Sequence, residues 1–149
     1  MNLLIIDDDS ISNFVTTRVA ESSGIFSEVQ IATNGKDALA VFAKACLGTV
    51  AVPDVVLVDL NMPVMSGFDF IEALNSLSFP NKERLEIVIH TASEDSLDLQ
   101  RARTLGINHY LIKSNKPTAL QTTIFSLYNT VLEKSQDSKN KDNKPTSVE

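Results

Sequence analysis

Residues 55 to 58 read Val-Val-Leu-Val, four apolar residues in a row, and stop at Asp59. A run that short and that uniformly apolar suits a strand covered on both faces, which demands helices above and below its sheet. Pro63 and Gly67 follow, so the chain turns after the carboxylate instead of continuing extended. Asp59 is thereby expected at the carboxyl end of a buried strand, where open α/β sheets place their ligands.

The rest of the chain repeats this plan. Residues 2 to 6 (Asn-Leu-Leu-Ile-Ile) read as a first buried strand ending on Asp7, Asp8 and Asp9. Ile11, Phe14, Val15 and Val19 then recur at helical spacing, and Gly24 is a stop signal. Residues 27 to 32 alternate and suit an edge strand. Asn34 is expected to cap a second helix whose inner face is Ala38, Leu39, Phe42 and Cys46. A third helix is expected from Gly67 to about Leu77, with Phe68, Ile71 and Leu74 inward. Residues 84 to 90 read as strand four, ending at Thr91. Ser93 is read as the cap of helix four, whose ragged apolar stripe predicts loose packing and availability to partners. Residues 109 to 112 read as strand five, ending on Lys113. Helix five begins near Pro117, with Leu120, Ile124, Leu127 and Val131 as its buried stripe.

Five strands alternating with five helices predict an α/β fold, a doubly wound five-stranded parallel sheet with right-handed crossovers. The order is either that of nucleotide-binding sheets or the flavodoxin-like 2-1-3-4-5. The scattered glycines form no G-x-G-x-x-G or P-loop pattern, and no G-x-S-x-G is present. The domain is expected over residues 1–132. Residues 133–149 carry almost no apolar side chain, and they are expected to be a disordered polar tail.

Composition excludes several functions. The net charge is −6, and residues 133–149 are neutral, so the folded part carries all of it. That argues against nucleic-acid binding. No apolar run approaches a membrane span, and the early aspartates break any signal-peptide pattern, so no membrane and a cytoplasmic location are expected. The one cysteine, Cys46, is read as a small core residue.

In the 2-1-3-4-5 order, strands one and three are neighbours, about 4.8 Å apart. Asp7 and Asp8 then face Asp59 along one sheet edge. Their mutual repulsion is relieved by a proton or a cation, and an all-oxygen ligand set favours Mg²⁺. Strand four brings the Thr91 hydroxyl to the same edge, and strand five the Lys113 ammonium. A carboxylate nucleophile, a metal, a hydroxyl and a positive charge are the parts needed to handle a phosphoryl group.

At this point the sequence resembles the receiver domain of bacterial two-component response regulators, of the stand-alone type. The matching pieces are Ile5-Ile6-Asp7-Asp8-Asp9, Val58-Asp59-Leu60-Asn61-Met62-Pro63-Val64-Met65-Ser66-Gly67, Ile89-His90-Thr91-Ala92-Ser93 and Gly106-Ile107-Asn108-His109-Tyr110-Leu111-Ile112-Lys113. The resemblance implies that Asp59 is the phosphoacceptor and that Asp8 and Asp59 hold Mg²⁺ by their side chains. Asp7 would assist through water, and Asn61 would offer its backbone carbonyl. Thr91 and Lys113 would hold phosphoryl oxygens, and Tyr110 would move when Thr91 is drawn toward them. It also implies a sensor histidine kinase or phosphotransfer protein as donor, a downstream protein that reads the change by contact, and a monomer or weak phosphorylation-dependent dimer. The family usually has Pro after the lysine and often an acidic residue where His109 stands. With Ser114 in place of Pro, the Lys113–Ser114 bond is expected trans, since cis before a non-proline costs about 2.5–4 kcal/mol.

Two rival readings remain open. One is an Mg²⁺-dependent phosphohydrolase with an aspartyl nucleophile, but such enzymes typically carry a second Asp two residues on, where this chain has Asn61. The other is a degenerate receiver that binds partners without phosphorylation.

Overall fold

A computed structural model describes residues 1–113 and 116–143. The strands are β1 (Asn2–Ile6), β2 (Glu28–Ala32), β3 (Val55–Val58), β4 (Glu86–Thr91) and β5 (His109–Ile112). The helices are α1 (Ser10–Ser22), α2 (Gly35–Cys46), α3 (Gly67–Asn75), α4 (Ser96–Thr104) and α5 (Thr118–Asp142). All strands run parallel in the order β2-β1-β3-β4-β5, the flavodoxin-like order expected, with β2 at an edge. A one-turn 3₁₀ segment, Lys82–Arg84, occupies the start of the stretch read as strand four.

Strand alternation divides the core. Leu4, Ile6, Val56, Val58 and Ile89 point to the face covered by α2 and α3, where Phe42, Phe70, Ile71 and Leu74 pack. Leu3, Ile5, Val55, Leu57 and Val88 point the other way, onto Val19 and Ala20 of α1 and onto Leu120, Ile124, Leu127 and Val131 of α5. This period of two on strands buried on both faces explains why β1 and β3 read as unbroken apolar runs. No helix among the described residues is long and apolar enough to cross a membrane.

Four local readings are corrected. The inner face of α1 is Asn13, Thr16, Val19 and Ala20, while Ile11, Phe14 and Val15 stay exposed. The reason is a bond from Asn13 back to the loop before the helix, which favours that rotation of the helix. Cys46 is exposed, because Ala45 takes the inward position at the end of α2. Asp95, not Ser93, caps α4 by accepting from the Leu97 N–H. Helix α5 runs to Asp142 where disorder was expected from residue 133.

The extension of α5 has physical support that apolar content alone does not register. No Gly or Pro interrupts residues 118–142, and elongating a formed helix is far easier than nucleating one. At the second residue of the extension, Lys134 pairs with Glu86, a buried carboxylate at the start of β4. Lys134→Met is expected to lower stability by about 1–2 kcal/mol, the low side for a pair with one buried member, because Lys134 is 40% exposed. Adding Glu86→Gln should recover most of that loss in urea unfolding. Deleting residues 137–149, which spares Lys134, should cost little.

A second prediction concerns the loop after β3. Val64 holds φ 70 while 80% exposed. Left-handed backbone costs an L-residue roughly 1–2 kcal/mol, more awkwardly when the side chain is β-branched, and no burial offsets it here. Val64→Gly is expected to raise stability by about 0.5–1 kcal/mol, read as a melting temperature a few degrees higher.

The candidate phosphorylation site

Register brings the acidic groups together. Ile6 pairs with Val58, so Asp7 and Asp59 leave adjacent strands side by side. The ladder continues one step further, with the Asp59 N–H donating to the Ile6 carbonyl at 2.9 Å and the Asp7 N–H to Ala32 at 3.0 Å. Asp7 and Asp59 are buried, whereas Asp8 is exposed at the mouth. Carboxylate oxygens of all three lie within 4.8 Å of one another. The close approach of α3 completes the wall. A Cβ at Gly67 would lie 2.2 Å from the Asp59 carbonyl oxygen, so only glycine lets α3 start there.

Lys113 enters from the end of β5. Its Nζ lies 2.6 Å from Asp7 Oδ2 and 3.0 Å from Asp59 Oδ2, so one ammonium bridges both buried carboxylates. The backbone aims it, since the Lys113 N–H donates to the Thr91 carbonyl at 2.7 Å. Burial alone would lower the lysine's pKa, but its hydrogen bonds to Asp7 and Asp59 and their charges outweigh that and raise it. The Lys113–Ser114 bond lies outside the described residues.

Thr91 is fully buried at the end of β4. Its Oγ1 accepts from the Ser93 N–H at 3.3 Å, and the Ser93 carbonyl accepts from the Tyr110 hydroxyl at 2.9 Å. Ser93 Oγ in turn donates to Asp98 in the first turn of α4 at 2.6 Å. Burial pushes the Tyr110 pKa up against the lowering effect of its hydrogen bond to Ser93, and the charges of Asp98, Asp95 and Asp59 add to the rise. Asn61, exposed on the loop, points its N–H at Asp59 Oδ1 from 3.4 Å.

Thus Asp7, Asp8, Asp59, Thr91 and Lys113 converge on one sheet edge, with Asn61 one bond away and Tyr110 two, through Ser93. Three residues escaped the sequence reading. Ser93 read as a helix cap, yet it links Thr91, Tyr110 and Asp98. Asn13 is a polar residue turned inward on α1, and since it falls among polar neighbours in the sequence, periodicity gave no signal of it. His90 lines a groove of about 340 Å³ between α1 and the start of α5, together with Val15, Leu111, Lys113 and Leu120. Burial lowers the His90 pKa, the Lys113 ammonium adds to this, and Asp7 and Asp59 pull the other way. In the sequence it stood only as a neighbour of Thr91, with no role of its own.

The acidic set fits a hard divalent cation, being all oxygen, with one exposed ligand open to water. Fold and site together define a flavodoxin-like domain with an acidic crevice at its 1–3 switch point. The response regulator receiver domain family matches residues 3–125, and the chain belongs to that family. Among curated relatives it is 32% identical over 147 residues to the protein-glutamate methylesterase/protein-glutamine glutaminase of Halalkalibacterium halodurans, covering 99% of this chain and 39% of that protein. It therefore spans about two fifths of that relative's length. A probable chemotaxis protein CheY of Rhizobium etli is 29% identical over 113 residues, covering 76% of this chain and 81% of that one. Among solved structures, the two component response regulator from Cytophaga hutchinsonii superposes with a TM-score of 0.76 at 26% identity, covering 89% of this chain and 96% of that one.

Proposed function

We propose that this chain is a phosphorylatable switch that takes a phosphoryl group on Asp59 from a sensor histidine kinase or phosphotransfer protein. The observation that carries this reading is the Lys113 ammonium bridging Asp7 and Asp59 beside the buried Thr91 hydroxyl. In the transfer, an Asp59 oxygen attacks phosphorus in line, the new O–P bond forms as the donor's N–P bond breaks, and the electron pair leaves on the imidazole. Mg²⁺ held by Asp7, Asp8, Asp59 and the Asn61 carbonyl would supply charge neutralisation to the phosphoryl oxygens. Lys113 and Thr91 would hold the remaining oxygens. The exchange is a cytoplasmic one, within a receiver unit of residues 1–132. Ile11, Phe14 and Val15, exposed on α1 directly after the acidic loop, give the donor protein an apolar rim to rest on.

The output leaves through the relay from Thr91 to Ser93 to Tyr110 and reaches the face made by α4, β5 and α5. Only Ala102 of α4 is buried, so that helix is held by few apolar contacts and is suited to move. A partner reading this face should gain about 10-fold in affinity on phosphorylation, and Tyr110→Ala should remove most of that gain. A partner indifferent to both changes would sink the route.

Incubation with acetyl phosphate and Mg²⁺ tests the core of the reading, with one phosphoryl group per chain expected by mass. Turnover of a generic phosphate ester would instead favour a phosphohydrolase, and no label at all a degenerate receiver. Phosphotransfer from a panel of sensor kinases would then name the donor.

A further inference from the structure

Asn13 is a poor choice for its place on stability grounds. It is the fourth residue of α1 and only 5% exposed, on the face continued by Thr16, Val19 and Ala20. Asparagine disfavours helix interiors, because its side chain competes for backbone hydrogen bonds. Its buried amide is half satisfied. Nδ2 donates to the Asp7 carbonyl at 2.8 Å, while Oδ1 is buried with no partner among the described residues. The Asp7 carbonyl decides which end is nitrogen, since the reverse setting would face two acceptors. Leucine has nearly the same shape and would remove the orphaned Oδ1, but it would leave the Asp7 carbonyl without the amide that donates to it.

The target of the bond explains the residue. The Asp7 carbonyl belongs to the peptide joining Asp7 to Asp8. The next peptide, joining Asp8 to Asp9, is held from its other side, because the Asp9 N–H donates to Asp7 Oδ1 at 3.0 Å. Both peptide planes flanking Asp8 are therefore clamped, one by the Asp7 carboxylate and one by the Asn13 amide. Asp8 itself is exposed, and no hydrogen bond to another described residue steadies its carboxylate. Its direction toward Asp7 and Asp59 depends on the backbone angles those two clamps hold.

The geometry points to Asn13 as a positioning residue of the cation site, which pre-organises the Asp8 carboxylate by anchoring the peptide before it. This rests on the reading of Asp7, Asp8 and Asp59 as that site. Outer partners of metal ligands typically affect affinity by about 10- to 100-fold, and one of two clamps belongs at the lower end. The hydrogen bond of Asn13 goes to the Asp7 carbonyl and not to Asp59 or Lys113, so it sets how much cation is needed and not the rate once the site is filled.

The test is a Mn²⁺ titration of the full chain followed by electron paramagnetic resonance, paired with thermal melting and with acetyl phosphate labelling across a Mg²⁺ series. Asn13→Leu is expected to raise the Mn²⁺ Kd about 10-fold and to shift the half-saturating Mg²⁺ for labelling alike. Its plateau rate should stay within about twofold and its melting temperature should change little, since relief of the buried Oδ1 offsets the Asp7 carbonyl left without its donor. Asn13→Ala, which leaves a cavity, should melt lower and show the same shift in Kd. Thr17→Val removes another buried unpartnered oxygen one turn on and should leave Kd unchanged. Wild-type affinity in both Asn13 variants, or an equal loss in Thr17→Val, overturns the proposal. If the wild type binds Mn²⁺ no better than Asp8→Ala and takes no label, the cation site itself is refuted and the positioning role falls with it.

Discussion

Asp59→Asn is expected to abolish labelling by acetyl phosphate, by at least about 100-fold against wild type, while leaving the fold intact. The amide matches the carboxylate in size, so the packing against Gly67 and the strand-end ladder through the Asp59 N–H persist. What is lost is the anionic oxygen that attacks phosphorus. Lys113 keeps its 2.6 Å partner in Asp7, so the ammonium is not left unpaired. One of three crowded carboxylates also disappears, so stability in the absence of Mg²⁺ should hold or rise slightly. The measurement is intact mass after incubation with donor, alongside a urea unfolding curve. A variant that is folded and still takes one phosphoryl group would falsify Asp59 as acceptor and direct attention to Asp8, the exposed neighbour.

Most of this site was legible because its residues mark strand ends. Once Val55–Val58 is read as a strand covered on both faces, Asp59 must lie at a sheet edge, and strand order alone brings Asp7, Thr91 and Lys113 to it. The buried stripe of α5, Leu120, Ile124, Leu127 and Val131, was equally open to reading, because helical periodicity is local. Helix α1 was not. Its apolar residues Ile11, Phe14 and Val15 lie outside, and Asn13 and Thr16 lie inside, because a side-chain bond from Asn13 to the Asp7 carbonyl, six residues back, favours that rotation of the helix. Periodicity cannot see that bond. The extension of α5 escaped for a related reason, since an ion pair with Glu86, 48 residues away in sequence, is invisible to a count of apolar residues.

Lys113→Met should separate the two tasks of the bridging ammonium, neutralising the crevice and holding phosphoryl oxygens. The side chains of Asp7 and Asp59 are 5% and 9% exposed, so without Lys113 two carboxylates share a dry wall with no countercharge. Removing one partner of a fully buried pair costs about 3–5 kcal/mol, and the 20% exposure of Lys113 brings the expected loss to roughly 2–3 kcal/mol in urea unfolding at pH 7. Added Mg²⁺ should restore part of it, since a cation that binds only the folded state stabilises that state. The pH dependence follows from the raised lysine pKa, in which the pairing with Asp7 and Asp59 outweighs burial. A group whose folded pKa lies above its unfolded value contributes fully below the unfolded value, about 10.4 for lysine, and loses that contribution as pH climbs through the folded one. The stability gap between wild type and Lys113→Met should therefore stay level from pH 7 to about 10 and close at higher pH. Labelling of the variant should be slowed and not abolished, because the attacking oxygen of Asp59 remains. A gap that instead closes as pH falls from 9 to 7 would show that the ammonium does not stabilise the crevice, whatever the distances to Asp7 and Asp59.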